Sequence, residues 1–232
     1  MAKYTHVILT LAIITGIAHG ADKKEPHHED HYDAITGFFC QKVLEAINKS
    51  RIPQDSIAEI RSLFLTKQNK EFRQKAFNYK GEKEDRLTLI QQAAEQHQYD
   101  ILEELLFLQD GIYSVNTRTQ SGKTPLMMSI RDPGYVGLNA LATARVLLKA
   151  RADVSLQDSE GKTALVHAIP SANLDIVALL LDAKADPSMR DNAGKNALDY
   201  ARDYSEKKKQ GNIRFKTILA LLGEAERQPD LR

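Results

Sequence analysis

Apolar and polar positions recur in a fixed order through the second half of the chain. Gly161-Lys162 reads as a turn, Thr163 as a helix N-cap and Ala164 as the first helical position, ahead of an apolar run. After a break, a second apolar segment ends in the pair Leu180-Leu181 and leads to Ala185-Asp186. That pattern predicts helix, turn, helix, loop. Gly122-Lys123-Thr124-Pro125-Leu126 and Gly194-Lys195-Asn196-Ala197-Leu198 open in the same way, and the earlier copy ends in Leu147-Leu148 and Ala152-Asp153. Gly161 to Gly194 is 33 residues and Gly122 to Gly161 is 39, the surplus falling at Asp132 to Gly137, which has loop composition. A weaker copy starts at Thr88, with Ile90 and Ala93 in place of Leu165 and Ala168. Its distance from Thr88 to Leu105 is 17 residues, the same as from Thr163 to Leu180.

The flanks follow other patterns. Between 34 and 80, Ile35, Phe39, Val43, Ala46 and Ile47 form one helical stripe; Ile57, Ile60 and Phe64 form a second, and Phe72, Ala76 and Phe77 a third. A stack of repeats exposes apolar residues at each end, so this segment is expected to cap the first unit. The competing reading is a separate helical interaction domain. At the other end Leu198, Tyr200 and Ala201 start a fourth unit, which the charged insert Ser205 to Gly211 is expected to interrupt. Ile218 to Leu222 closes it, and Gly223 is expected to stop the helix.

These units resemble the ankyrin repeat family, whose period is about 33 residues and whose signature is Thr-Pro-Leu-His-x-Ala. Thr124-Pro125-Leu126 matches the start of it; Thr163-Ala164-Leu165 with Ala168, and Leu198 with Ala201, match more loosely. No copy keeps the signature His, whose position holds Gln91, Met127, Val166 and Asp199. Arg151 and Lys184 stand where the family usually carries the Gly of Gly-Ala-Asp. The resemblance implies an all-α solenoid of helix-turn-helix repeats that binds a partner protein through hairpin finger tips and the exposed side of its first helices, a concave surface. The chain then divides into 1–20 (signal peptide), 21–33 (polar His-rich linker), 34–80 (helical cap), 81–225 (repeats) and 226–232 (tail).

Spacing selects candidate contact residues within that frame. Lys123, Lys162 and Lys195 each follow the turn glycine and are expected to align when the units stack. Arg118, Gln157 and Arg190 hold equivalent finger positions; Gln120, Ser159 and Asn192 are neutral neighbours, and Glu160 is an acid among them. Clustered lysines favour a partner with an acidic segment, while plain solubility explains exposed lysines equally well.

Charge and composition narrow the rest. Lys3 followed by the apolar run Val7 to Ile14 and by Ala18-His19-Gly20 reads as an export signal cleaved near Gly20, with a periplasmic or secreted product. The run is shorter than the ~20 residues of a spanning helix, so stable membrane insertion is not expected. Loss of the first twenty residues removes one lysine from the 32 basic residues and leaves 31 against 31 acids, which gives no reason to expect nucleic acid. A single cysteine, Cys40, excludes an intramolecular disulfide, and beside Phe38 and Phe39 it reads as a packed thiol. His27, His28 and His31 are weak metal candidates, and a metal-binding accessory protein is the alternative function; the His-Glu-x-x-His spacing is absent and a solvated linker explains them as well. Gly-Lys-Thr occurs twice, but the phosphate-loop glycine five residues earlier is replaced, by Thr117 and by Leu156. No serine-elbow or paired-cysteine motif appears, and His97 and His167 stand isolated along the sequence. A non-enzymatic monomer without cofactor is therefore expected, with a hydrolase built from dispersed residues as the third reading.

Overall fold

The computed structural model describes residues 41, 43, 87–108, 115–130, 138–207 and 213–227. All of them fall in the unit Thr36–Arg232. The export signal, the His cluster, Cys40 and the loops at Asp110 and Asp132 to Gly137 lie outside the described residues, as does the expected N-terminal cap except for Gln41 and Val43. Both of those are helical, Gln41 exposed and Val43 fully buried.

The described helices come in pairs: α1 (Leu89–Glu95) with α2 (Tyr99–Leu108), α3 (Pro125–Ile130) with α4 (Leu138–Lys149), α5 (Ala164–Ala168) with α6 (Leu174–Asp182), and α7 (Ala197–Lys207) with α8 (Ile213–Arg227). A short 3-10 turn, Ile169–Ser171, extends α5. The fold is all-α. First helices pack in series, α1 on α3, α3 on α5, α5 on α7, and second helices do the same, α2 on α4, α4 on α6, α6 on α8. Apolar positions explain this ladder, because each short helix buries little alone. Leu89, Ala93, Leu126, Leu165, Ala168 and Ala201 are buried on the first helices, and Ile101, Leu105, Leu147, Leu180, Ile218 and Leu222 on the second. Each buried leucine contributes ~2 kcal/mol, so stability accrues at the interfaces between units.

The starts of the first helices follow the expected chemistry. Thr88 Oγ1 accepts from Gln91 N at 3.3 Å while Gln91 Oε1 accepts from Thr88 N at 2.9 Å, a reciprocal capping box. Asn196 and Asp199 form the same device: Asp199 N donates to Asn196 Oδ1 at 2.9 Å and Asn196 N to Asp199 Oδ2 at 3.2 Å. Gln91 and Asp199 occupy the position of the missing signature His and supply hydrogen bonds at the helix start. Where Met127 and Val166 stand instead, a single bond to Thr124 or Thr163 Oγ1 remains, each 3.4 Å long.

Helix ends required a left-handed residue, and the sequence supplies none of the glycines. Arg151 (φ 64°) and Lys184 (φ 70°) close α4 and α6, and His97 (φ 54°) closes α1. Each gives the paired carbonyl bonds of a Schellman motif, as in Arg151 N to Leu148 O at 2.9 Å and Ala152 N to Leu147 O at 3.0 Å. Ala172, before α6, is left-handed as well (φ 51°).

One expectation at the C-terminal pair fails. Gly223 does not stop α8, which continues to Arg227. An interior glycine costs only ~1 kcal/mol against alanine, and burial of Phe215, Ile218 and Leu222 along one face exceeds that. α7 runs into the charged insert, with Ser205, Glu206 and Lys207 as its last turn, and α8 starts after it at Ile213. Tyr204 stacks on Phe215, ring centroids 6.2 Å apart, and Lys207 Nζ lies 5.9 Å from the Tyr204 ring, so this turn is held by α8.

Candidate functional site

Three hairpin fingers, 118–124, 157–163 and 190–196, precede α3, α5 and α7. Each is closed by the same pair of backbone bonds. Thr119 N, Asp158 N and Asp191 N donate to the carbonyls of Lys123, Lys162 and Lys195, and the three turn glycines donate back to residues 119, 158 and 191, all within 2.9 to 3.0 Å. Gly122, Gly161 and Gly194 have φ of 73°, 79° and 77°, a region that glycine enters without Cβ strain.

Each finger also stacks on the next. Ser159 N donates to Ser121 O and Asn192 N to Glu160 O, both at 3.0 Å, while Asn192 Nδ2 reaches Ser159 O at 3.0 Å and Gln157 Nε2 reaches Arg190 O at 2.9 Å. This approach leaves no room for a side chain at Gly122 or Gly161, whereas Gly194 faces open space.

An aspartate anchors two of the fingers. Asp158 Oδ1 accepts from the amides of Glu160 and Lys162, and Asp191 Oδ1 from those of Ala193 and Lys195, each at 2.9 Å. Their second oxygens are taken by the residue nine positions on, in the following helix: His167 Nε2 lies 2.8 Å from Asp158 Oδ2, and the Tyr200 hydroxyl donates to Asp191 Oδ2. His167 is therefore not isolated. Burial holds its pKa below the ordinary histidine value despite the Asp158 carboxylate, and the positive charges of Lys123 and Lys162 act in the same direction. The neutral imidazole carries its proton on Nε2 and donates it to Asp158. Burial alone would raise the Asp158 pKa, but hydrogen bonds from the Lys162 and Glu160 amides and from His167 outweigh it and lower it. The pair ties the second finger to α5 and so braces the turn.

Tyr200 lies half-buried in the first turn of α7. Lys162 Nζ and Lys195 Nζ lie 5.6 and 5.9 Å from its ring centroid, so stacking does bring successive lysines around one aromatic side chain. Partial burial and the bond to Asp191 push its hydroxyl pKa up to about 12 and keep it neutral. The lysines are not a bare cationic row, however. Lys162 holds Glu160 at 2.6 Å and Lys195 holds Asp203 at 2.6 Å, which raises the pKa of both lysines. Arg190 donates to Gly194 O and lies 3.6 Å from Asp199. Arg118, Gln120, Ser159, Glu160, Asn192 and Lys195 are exposed, and Lys123, Gln157 and Lys162 are half-buried. Sequence reasoning missed Tyr200, Asp158, Asp191 and His167; the signal was an aspartate followed nine residues later by His or Tyr in successive units.

No group of three His, Cys, Asp or Glu able to hold a metal occurs among the described residues. No helix among them is long and apolar enough to cross a membrane.

The family model described as ankyrin repeats (many copies) matches residues 147–201, from the end of α4 through the α5–α6 pair into α7. No curated protein matches the chain. The matched segment is thus built of ankyrin repeats, and the 33-residue register, paired helices and stacked hairpins continue the same pattern on either side of it.

Proposed function

We propose that this chain binds a partner protein through its finger tips and the exposed side of α7; every residue of α3 is buried, and on α5 only His167 is half-buried. Ankyrin repeats are generally protein–protein interaction modules, and the observation that carries the assignment to this face is the finger stack. Backbone bonds from Ser159 to Ser121 and from Asn192 to Glu160 fix the spacing of successive tips before any partner arrives. A rigid platform loses little conformational entropy on binding, which favours affinity. Export, read from residues 1–20 alone, would put this binding in the periplasm or outside the cell.

Site-specific photo-crosslinking tests the assignment. A photoreactive residue at Gln120, Ser159 or Asn192 is expected to capture one common species, saturably, from an extract of the source cells. The same group at Arg145 on α4 or Lys216 on α8, both exposed, serves as the control. Capture from the control positions in place of the fingers would refute the proposed face.

A further inference from the structure

The three fingers differ in whether the fold already uses their side-chain donors. On the second, Gln157 Nε2 donates to Gly161 O at 2.6 Å and to Arg190 O at 2.9 Å, and Lys162 holds Glu160. On the third, Arg190 donates to Gly194 O, Asn192 Nδ2 to Ser159 O and Lys195 Nζ to Asp203. On the first, the side chains of Arg118, Gln120 and Lys123 have no hydrogen bond or ion pair among the described residues; only the Lys123 backbone is engaged, closing the hairpin on Thr119.

The cause is a difference in sequence. The position filled by Asp158 and Asp191 in the later fingers holds neutral Thr119 in the first. Counting Lys and Arg against Asp and Glu, 118–124 carries +2 (Arg118, Lys123), 157–163 carries −1 (Asp158, Glu160, Lys162) and 190–196 carries +1 (Arg190, Asp191, Lys195). Among these three fingers positive charge is therefore concentrated on the first. A carboxylate arriving at Lys162 or Lys195 has to displace an acid of the chain itself. At the first finger it displaces no acid of the described residues, and it meets a planar Arg fork suited to two-point binding.

We infer that the first finger is the docking point for an acidic segment of the partner, its carboxylates taken by Arg118 and Lys123 with Gln120 as a neutral donor between them. The inference rests on the proposed binding face and gives the partner both a chemistry and an orientation, acidic segment toward 118–123. Of the three aligned lysines, Lys162 and Lys195 hold acids and Lys123 has no side-chain partner among the described residues.

The test uses the isotopically labelled full chain and a blocked ten-residue peptide of alternating Glu and Ser, with a Gln-Ser peptide as control. Amide shifts in the titration are expected to centre on 118–123. The Arg118→Glu, Lys123→Glu double variant should weaken the Glu-Ser peptide at least about tenfold, while Lys162→Glu, Lys195→Glu changes affinity less than about twofold. Shifts centred on 157–162 or 190–195, equal losses in the two variants, or equal binding of the Gln-Ser peptide would each overturn the inference. If that happens while photo-crosslinking still captures a partner at the fingers, the binding face stands and only the acidic docking point falls. Failure of crosslinking at every finger would instead remove the face itself.

Discussion

Replacing the turn glycines one at a time separates two contributions that ordinarily arrive together. Gly161 and Gly194 have nearly the same φ, 79° and 77°, so an alanine at either adds a similar left-handed strain of ~1 kcal/mol. It also gains a similar few tenths to ~1 kcal/mol from a stiffer unfolded chain. The difference between the two variants therefore reads their neighbours. A Cβ on Gly161 would lie 2.6 Å from Asn192 Oδ1, 2.7 Å from Asn192 N and 3.0 Å from Asp191 Cα, whereas a Cβ on Gly194 meets nothing within 4 Å. Two of the three clashing atoms are backbone, so no rotamer change relieves the contact and the fingers must part. Parting loses the bonds Asn192 N to Glu160 O, Asn192 Nδ2 to Ser159 O and Gln157 Nε2 to Arg190 O. At ~1 kcal/mol each, Gly161→Ala should destabilise by about 2 to 3 kcal/mol more than Gly194→Ala. Gly122→Ala, which would set a Cβ 2.8 Å from Ser159 N, belongs with Gly161→Ala. Urea unfolding followed by far-UV circular dichroism measures the differences, provided the slope with denaturant is unchanged. Equal losses at Gly161 and Gly194, within about 0.5 kcal/mol, would refute the claim that the finger stack contributes to stability.

Other substitutions probe single features. Arg151→Gly should raise stability by up to about 1 kcal/mol, because φ is 64° at an exposed position; a loss in the same urea assay would mean that the guanidinium's interaction with the end of α4 outweighs the strain. Tyr200→Phe removes a donor from the buried Asp191 carboxylate and should cost about 1 kcal/mol, and an unchanged midpoint would show that the hydroxyl adds nothing. The folded pKa of His167 lies below its ordinary unfolded value of 6.5, so the unfolded state takes up the proton first. Stability from this group is full above pH 6.5 and lost as pH falls toward the folded pKa. His167→Gln, which keeps a donor and cannot titrate, should flatten stability against pH from 7.5 down to about 5 relative to the parent chain; parallel curves would contradict this assignment.

Repetition made much of the fold legible. Thr88, Thr124, Thr163 and Asn196 cap the first helices as the spacing predicts, and Gly122, Gly161 and Gly194 lie in turns as expected, all three left-handed. Arg151 and Lys184 could be picked out because they replace a glycine in a repeating position, and both are left-handed. The candidate contact residues were placed on fingers by register, but register says nothing of which side chains the fold consumes. That Lys162 and Lys195 are paired while Arg118 and Lys123 have no partner among the described residues depends on side-chain contacts across a hairpin and along α7, which register does not specify. The Asp158–His167 pair was hidden for the same reason, its members spanning a hairpin and a helix turn. Gly223 misled because a local breaker signal of ~1 kcal/mol was set against a buried face, formed with α6 and α7, that a linear reading could not weigh.

Hydrogen–deuterium exchange on the complex with the captured partner tests the central claim most directly. Protection is predicted at 118–123, 157–162 and 190–195 and in the first turns of α7, including Tyr200, with α4 and α8 unchanged. Protection confined to α4, α6 and α8 with exchange at the fingers unaltered would contradict it.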